Sequence, residues 1–292
     1  MKWGERFQIA ALKWAGRLSL KNIYRLSRLL YWIFRPFNFK FKRTIRTNLS
    51  RCWPNLSPQA LEKLAQKVEH QTIWRMLEMP YFWFGQNRDT ALKQRFGEEA
   101  LKQDFEKGQG IIILAPHLGA WEMVNCYMGM HYPSAALYKP FKKAYQETLL
   151  HQARERYGTE MYPATLAGIK GLFGALKRGC CVGVLPDHDP GKNGGEIVPF
   201  FGIPTNTTTL IAKLASKSQA PLYFAFTERL PKGEGFQLHF VKASALLASP
   251  DLKIAATALN EDIAKLIATC PEQYEWSYKR FRRTPWQNGE FY

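Results

Sequence analysis

From about residue 105 onward, short apolar runs alternate with longer segments in which apolar residues recur every three or four positions. Short apolar runs bounded by turn residues are typical of buried strands, and the longer pattern is typical of helices. We predict strands at 111–115, 135–138, 181–185, 222–227 and 236–241. We predict helices near 120–130, 142–157, 165–178, 207–218 and 251–269. This alternation predicts an α/β fold with a mixed, mainly parallel central sheet flanked by helices.

The first fifty residues differ in composition and are rich in basic and aromatic residues. Five basic residues spaced four, four, four and three apart form one stripe on a helix, and apolar residues surround them: Lys13, Arg17, Lys21, Arg25 and Arg28. This pattern predicts a helix that lies in the plane of a membrane, with cations toward lipid phosphates. The alternative is a surface helix packed on its own domain. We therefore divide the chain into a membrane-associating region, 1–50, and an α/β domain, 51–292.

The charge balance narrows the class of partner. The 292 residues include 41 Lys and Arg against 24 Asp and Glu, a formal net charge of +17. A balance this basic indicates a polyanionic partner, either nucleic acid or an anionic membrane surface. Nine tryptophans, clustered near basic residues, favour the membrane, and no nucleic-acid-binding module is recognisable. The five cysteines form no C-x-x-C pair, so they predict buried thiols rather than a metal site.

Candidate chemistry stands where the run 111–115 ends, in "IIILAPHLGAWEM". His117 follows the predicted strand, and Glu122 lies five positions later, near the start of the next helix. Residues five apart in a regular helix lie about 140° apart, so the two can pair only if His117 precedes the first turn. Glu122 would then hold one imidazole nitrogen and leave the other to accept a proton from a hydroxyl. The alternative is a buried histidine whose bond to a carboxylate is purely structural.

A second polar cluster follows the run 181–185. Asp187, His188 and Asp189 stand at this predicted strand end, before a glycine-rich turn that contains Lys192. Carboxylates on both sides of a histidine could bind a metal, but ligands from one tripeptide rarely make a site. The alternative is a turn with solvated acids.

Five motifs in order give these clusters a context: "PHLGAWEM", "LYKP", "HQARERYG", "LPDHDPGKNGGEIVPFFGIPTNTT" and "YEWSYKRFRRTPW". Together they resemble the lipid A biosynthesis acyltransferase family of Gram-negative bacteria, the lauroyl/myristoyl type, over nearly the whole chain. The resemblance implies a glycerophosphate-acyltransferase-like fold and a place on the cytoplasmic face of the inner membrane. It implies an acyl thioester donor, on acyl carrier protein or coenzyme A, and a hydroxyl of a lipid A precursor as acceptor. No cofactor and no metal are implied.

The resemblance also assigns residues. The H-x₄-D/E pair of the family falls on His117 and Glu122, and a downstream arginine falls on Arg154. Where the family has Tyr-Arg-Pro, this chain has Lys139 in the middle position, which keeps the charge but loses bidentate phosphate binding. His188 replaces the glutamine of an Asp-Gln-Asp cluster, and Ser277-Tyr278 occupies a region where the family usually has a histidine. The substrate-binding residues expected on this basis are Arg154, Lys139, Asp187, Asp189 and Lys192.

In the mechanism implied, His117 removes the acceptor's proton and Glu122 stabilises the imidazolium. No serine or cysteine adjoins the histidine, so no acyl-enzyme is needed. Two other readings remain open. One is a lysophospholipid or other glycolipid acyltransferase, although such enzymes typically carry a Pro-Glu-Gly-Thr-like motif that does not follow 181–185 here. The other is a non-catalytic basic protein that binds a membrane or nucleic acid, which would function without His117.

Overall fold

The computed structural model describes residues 3–85, 88–140, 144–283 and 291–292 of the chain. Four helices come first: α1 Trp3–Ala15, α2 Leu20–Phe34, α3 Lys40–Cys52 and α4 Pro58–Phe84. The following helices are α5 Glu98–Phe105, α6 Trp121–His131, α7 Ala144–Glu155, α8 Leu166–Lys177, α9 Leu210–Ser218 and α10 Leu252–Thr269. The strands are β1 Leu92–Phe96, β2 Ile111–Leu114, β3 Ser134–Tyr138, β4 Thr159–Pro163, β5 Cys181–Val184, β6 Gly195–Phe200, β7 Ile203–Thr208, β8 Leu222–Arg229 and β9 Phe236–Lys242.

In the described part of the chain, seven strands form one sheet in the order β1-β9-β8-β2-β5-β3-β4. Neighbouring strands run parallel except for β8 and β9, which are antiparallel. The predicted α/β class with a mixed, mainly parallel sheet is therefore confirmed. The specific likeness to glycerophosphate acyltransferases and the division at residue 50 stay predictions.

All five predicted strands and five helices are present, with ends shifted by a few residues. Positions 142 and 143 of the helix predicted at 142–157, and 284–286 of the tail motif, lie outside the described residues. Three further features are not predicted from the sequence: the strands β1 and β4, which lie at the sheet edges and carry polar residues, and the hairpin of β6 and β7. The hydroxyl-rich start of the helix predicted at 207–218 is in fact β7, with Thr205 and Thr207 fully buried, because β-branched threonine suits a pleated strand.

The central strands are buried on both faces. In β2, Ile112 and Leu114 belong to the core that contains α3, α8, α9 and α10, whereas Ile111 and Ile113 belong to the core beneath α4 and α6. A strand covered on both sides needs apolar residues at every position, which explains its unbroken aliphatic run. Because β8, β2 and β5 are parallel neighbours, their carboxyl ends lie side by side. In open α/β sheets, functional side chains and ligands are found at this edge.

The N-terminal helices differ in how they meet this core. Helix α3 buries Ile45 and Leu49 in it, while α1 has no buried residue. Asn48 of α3 also reaches the far end of the chain, because its side-chain amide donates to the backbone oxygens of Trp276 and Tyr278. Among the described residues, no helix is both long enough and apolar enough to cross a bilayer.

Candidate active site

The register of β2 and β5 brings His117 and Asp187 together. The strands pair in parallel with Leu114 opposite Val184, and each of the two polar residues lies three positions beyond its strand. His117 Nδ1 is 2.8 Å from Oδ1 of Asp187, and the backbone N–H of His117 donates to Oδ2 at 2.9 Å. Both residues are buried, with His117 8% and Asp187 1% exposed. The carboxylate thus fixes the position and tautomer of the ring and leaves Nε2 available.

The buried pair shifts both titrations. Burial by itself lowers the pKa of His117, but the negative charge and hydrogen bond of Asp187, with Glu275, outweigh it, and the pKa is raised. Burial raises the pKa of Asp187, but the charge and hydrogen bond of His117 hold it well below its usual range. Asp187 is therefore a carboxylate throughout the neutral range, and His117 is a stronger base than a free imidazole.

Glu122 does not hold the histidine, contrary to the pairing predicted from sequence. Helix α6 begins at Trp121, so His117 lies ahead of it, on a turn in which Gly119 has a φ of +62°. That turn directs the ring toward β5, whereas Glu122, 1% exposed, points toward α7. The carboxylate that orients the imidazole comes from Asp187, a residue for which the sequence predicts a role in substrate binding.

Arg154 of α7 is the partner of Glu122. Its Nη2 donates to Oε1 at 2.5 Å and its Nε to Oε2 at 3.2 Å, so the guanidinium expected to bind phosphate grips a buried carboxylate. The same guanidinium lies 5.6 Å from the ring of Trp121, whose edge packs against the imidazole of His117 at 5.2 Å. The Glu122–Arg154 pair therefore supports the histidine through Trp121.

His188 covers the other side of the site. Its ring stacks on that of His117 at 3.8 Å and 1° from parallel, and Tyr278 stacks on its far face at 3.8 Å. Burial lowers the pKa of His188, so this second imidazole is neutral at physiological pH. The stack positions the His117 ring between Trp121 and His188.

Glu275, a tail residue that the sequence analysis missed, completes the cluster. Its Oε2 lies 4.0 Å from Nε2 of His117 and 3.6 Å from Nε2 of His188, while Arg75 donates to its Oε1 at 2.7 Å. The two histidines and Glu275 place possible ligand atoms within 4.8 Å of one another. Stacked parallel imidazoles, however, direct their lone pairs side by side rather than to one point, so the arrangement does not suit a shared ion. The tail motif contains Glu275 and Tyr278 but does not single out Glu275, and nothing in the sequence pointed to Arg75 on α4.

The remaining predicted site residues lie around this cluster. The carboxylate of Asp189 accepts bonds from Arg282 at 2.8 Å, Arg283 at 2.6 Å and Asn206 at 2.8 Å, and thereby ties the tail to β7. Lys139, just beyond β3, and Lys192, in the turn after Asp189, are exposed, and no contact between either lysine and His117 occurs among the described residues.

An apolar cavity of about 40 Å³ lies between α6 and the sheet, and Trp121, which packs against His117, forms part of its lining. Its lining runs from Leu185 and Trp121, at the carboxyl ends of the strands, to Ser134 at the start of β3. The space exists because Ala136 and Gly183, which are paired in register on β3 and β5, present little or no side chain beneath the helix. The site thus joins a buried base to an apolar space.

Residues 1–283 match the model of the family described as bacterial lipid A biosynthesis acyltransferase. The chain belongs to this family. It is similar to the lipid A biosynthesis lauroyltransferase of Escherichia coli (strain K12), with 29% identity over 97% of this chain and 92% of the relative. It is also similar to the lipid A biosynthesis palmitoleoyltransferase of the same organism, with 28% identity over 88% of this chain and 84% of the relative. A lipid A biosynthesis acyltransferase of Haemophilus influenzae is 27% identical over 83% of this chain and 76% of the relative.

Membership confirms the resemblance identified from the five motifs and makes the protein an acyltransferase. The family supports acyl transfer in lipid A biosynthesis, with a lipid A acceptor and an acyl donor.

Proposed function

We propose that the protein transfers a fatty acyl chain from a thioester, on acyl carrier protein or coenzyme A, to a hydroxyl of a lipid A precursor. The observation that carries the proposal is the buried His117–Asp187 pair, which leaves Nε2 as a base beside an apolar cavity. A hydroxyl is too weakly acidic to attack a thioester at neutral pH without a positioned base.

In this mechanism Nε2 of His117 takes the hydroxyl proton as the oxygen attacks the thioester carbonyl carbon. Asp187 holds the Nδ1–H and stabilises the imidazolium that forms. The tetrahedral intermediate collapses with cleavage of the carbon–sulfur bond, and the imidazolium returns its proton to the leaving thiol. Neither an acyl-enzyme nor a metal enters this sequence of steps.

The other site residues position rather than react. Glu122 and Arg154 fix Trp121, which borders both the imidazole and the cavity. Lys139 and Lys192, exposed beyond β3 and in the turn after Asp189, supply positive charge for phosphates of the acceptor or of the donor's pantetheine arm. Asp189 acts by keeping the tail in place.

The apolar cavity is the proposed entry for the donor's hydrocarbon chain. It follows the strand direction for the four residues from Ser134 to Leu137, a length of about 10 Å. Its walls are mainly apolar side chains of α6 and the sheet, with four polar side chains among them: Asn125, Ser134, Arg154 and Thr159. A mostly apolar lining suits a hydrocarbon chain.

Gly183→Val is expected to lower transfer of long acyl chains more than transfer of short ones, because the side chain fills the cavity. A Cβ at this position meets the Cβ of Ala136 at 3.5 Å, an ordinary contact, so the first carbon of the new side chain fits without displacing its neighbours. The measurement is kcat/KM across a series of acyl donors, with Gly183→Ala as the smaller change. An equal effect at every chain length would place the acyl chain elsewhere.

We propose that α1 and α2 hold the enzyme on the cytoplasmic face of the inner membrane. On α1 the side chains of Trp3, Phe7 and Trp14 are 89%, 73% and 66% exposed, and their spacing places them within about 40° on one face. The basic stripe predicted on one helix is divided, because α1 ends at Ala15 and α2 begins at Leu20. Helix α2 keeps three of its basic residues beside an exposed apolar strip: Lys21, Arg25 and Arg28, with Leu29, Trp32 and Ile33. Aromatic and cationic side chains together suit an anionic lipid surface.

Replacing Trp3, Phe7 and Trp14 together by serine is expected to lower binding to vesicles of anionic phospholipid by about 10-fold or more. Vesicle flotation measures the bound fraction. The matched control is Leu166→Ser, which removes an 82% exposed apolar side chain from α8 instead. Unchanged binding of the triple variant would assign the membrane contact to another surface.

The function itself is tested by mass spectrometry of lipid A from cells with and without the gene. Loss of the gene is expected to remove one acyl chain from lipid A. Purified enzyme given acyl carrier protein or coenzyme A thioesters then identifies the donor. Unchanged lipid A with altered phospholipids would support the alternative, a lysophospholipid or other glycolipid acyltransferase.

A further inference from the structure

We propose that Glu275 and Arg75 are a pair of positioning residues with opposite effects, which together set how readily Nε2 of His117 holds a proton. The inference rests on the proposed function, in which Nε2 is the general base. It adds that two residues from distant parts of the chain adjust the proton affinity of this base.

The backbone around Glu275 is fixed against the histidine. Tyr274 forms an antiparallel bridge with Leu118, and the N–H of Glu275 donates to the carbonyl oxygen of His117 at 3.0 Å. The side chain then turns back so that Oε2 faces Nε2 at 4.0 Å. This separation is too long for a direct hydrogen bond, so Glu275 acts on the imidazole through its charge. At 4 Å and partly out of solvent, a unit charge has a substantial effect on a neighbouring titration.

Arg75 reaches the same place from α4. Its Nη2 donates to Oε1 of Glu275 at 2.7 Å, and its side chain is 13% exposed. The carboxylate therefore has one oxygen on the guanidinium and the other toward the imidazole. Arg75 holds the carboxylate in this orientation and also brings a positive charge close to His117, which opposes imidazolium formation.

Glu275 remains an anion over the working pH range. Burial raises its pKa, but the neighbouring His188 ring, the guanidinium of Arg75 and the His117 ring outweigh burial and lower the pKa to about 2. In the described part of the chain, the groups that face the imidazole are Asp187 at Nδ1, Glu275 at Nε2, Arg75 behind Glu275, His188 on the ring face, Trp121 in an edge contact and Tyr274 beside Asp187.

The two charges act in opposite directions, which separates this role from simple anchoring of the tail. A general base must be neutral, so activity rises as pH passes through the pKa of His117. Removing the negative charge of Glu275 lowers that pKa and moves the acidic limb of the pH–activity profile to lower pH. Removing Arg75 leaves Glu275 without its counter-charge, raises the pKa and moves the limb to higher pH. A pair that only anchors the tail gives losses that are independent of pH.

The experiment compares kcat/KM against pH for the wild type, Glu275→Gln, Arg75→Gln and the double variant, using the full chain in detergent. The ratio of variant to wild-type activity is expected to change by about 3-fold or more along the profile, with opposite slopes for the two single variants. The double variant is expected between them, and Arg75→Lys, which keeps the charge, near the wild type.

Arg282→Gln is the matched control, because it removes a tail ion pair with Asp189 that does not face the imidazole. It is expected to leave the acidic limb of the pH–activity profile at the wild-type pH even if the melting temperature falls. An NMR titration of the ¹⁵N-labelled histidines reports the His117 shift without any activity. The inference would be overturned if the two single variants shifted the pH–activity profile and the His117 NMR titration in the same direction, or did not shift them. The absence of acyl transfer in the wild type would refute the proposed function instead.

Discussion

His117→Ala is expected to lower acyl transfer by about 10²–10⁴-fold, because it removes the proposed general base for the acceptor hydroxyl. The position is favourable for such a test, since His117 lies beyond the end of β2 and is not part of either hydrophobic core. The measurement is transfer of a radiolabelled acyl chain from a thioester donor, with binding to lipid vesicles measured in parallel. Near-normal turnover would end the mechanism proposed for this site.

Truncation to alanine also leaves the buried Asp187 without its partner, and an unsatisfied buried carboxylate is costly. His117→Asn is therefore the companion variant, because its side-chain amide can still donate to Asp187 and cannot act as a base. Circular dichroism and thermal unfolding of both variants separate loss of chemistry from loss of structure. We expect His117→Asn to fold and to be as inactive as His117→Ala.

Asp187→Asn is expected to lower kcat by about 10²-fold or more with a small change in melting temperature. The amide keeps the shape of the side chain but removes the charge that stabilises the imidazolium, and it allows the wrong tautomer of His117. Steady-state kinetics and thermal unfolding of the same preparation provide the two quantities. This result would assign to Asp187 the role that sequence spacing gives to Glu122.

Glu122→Gln is the comparison that makes the assignment decisive. Because Glu122 and Arg154 form a buried ion pair, the change leaves a guanidinium without its counter-charge and is expected to cost roughly 3–5 kcal/mol of stability. Its main effect is therefore on the melting temperature. Arg156→Lys, at an exposed position just beyond α7, is the control for a neighbouring charge. A large fall in kcat for Glu122→Gln at an unchanged melting temperature would return the orienting role to Glu122.

The sequence was sufficient for the central sheet and for the location of the site. Aliphatic runs such as 111–115 predict buried strands because each position is covered, and the polar residues that follow mark where such strands end. The edge strands β1 and β4 were missed because polar residues interrupt them, and their stability comes from pairing with neighbours rather than from local pattern.

The contacts within the site were harder to predict than its position. Spacing indicates that His117 and Glu122 lie near each other along the chain, but the strand register decides which carboxylate faces the ring. Arg75 and Glu275 are 200 positions apart, and neither residue has a local signal that would connect them. Contacts of this kind depend on packing between distant segments, which periodicity does not encode.

The bond between Asn48 and the backbone at 276 and 278 has a consequence for biosynthesis. A chain grows from its N-terminus, so α1 and α2 leave the ribosome and can meet the membrane long before the segment that carries Glu275 and Tyr278 exists. The wall of the site that these two residues form is absent until that last segment docks beside α3. If α1 and α2 bind the bilayer as proposed, the order of synthesis places that attachment first and assembly of the complete His117 site last.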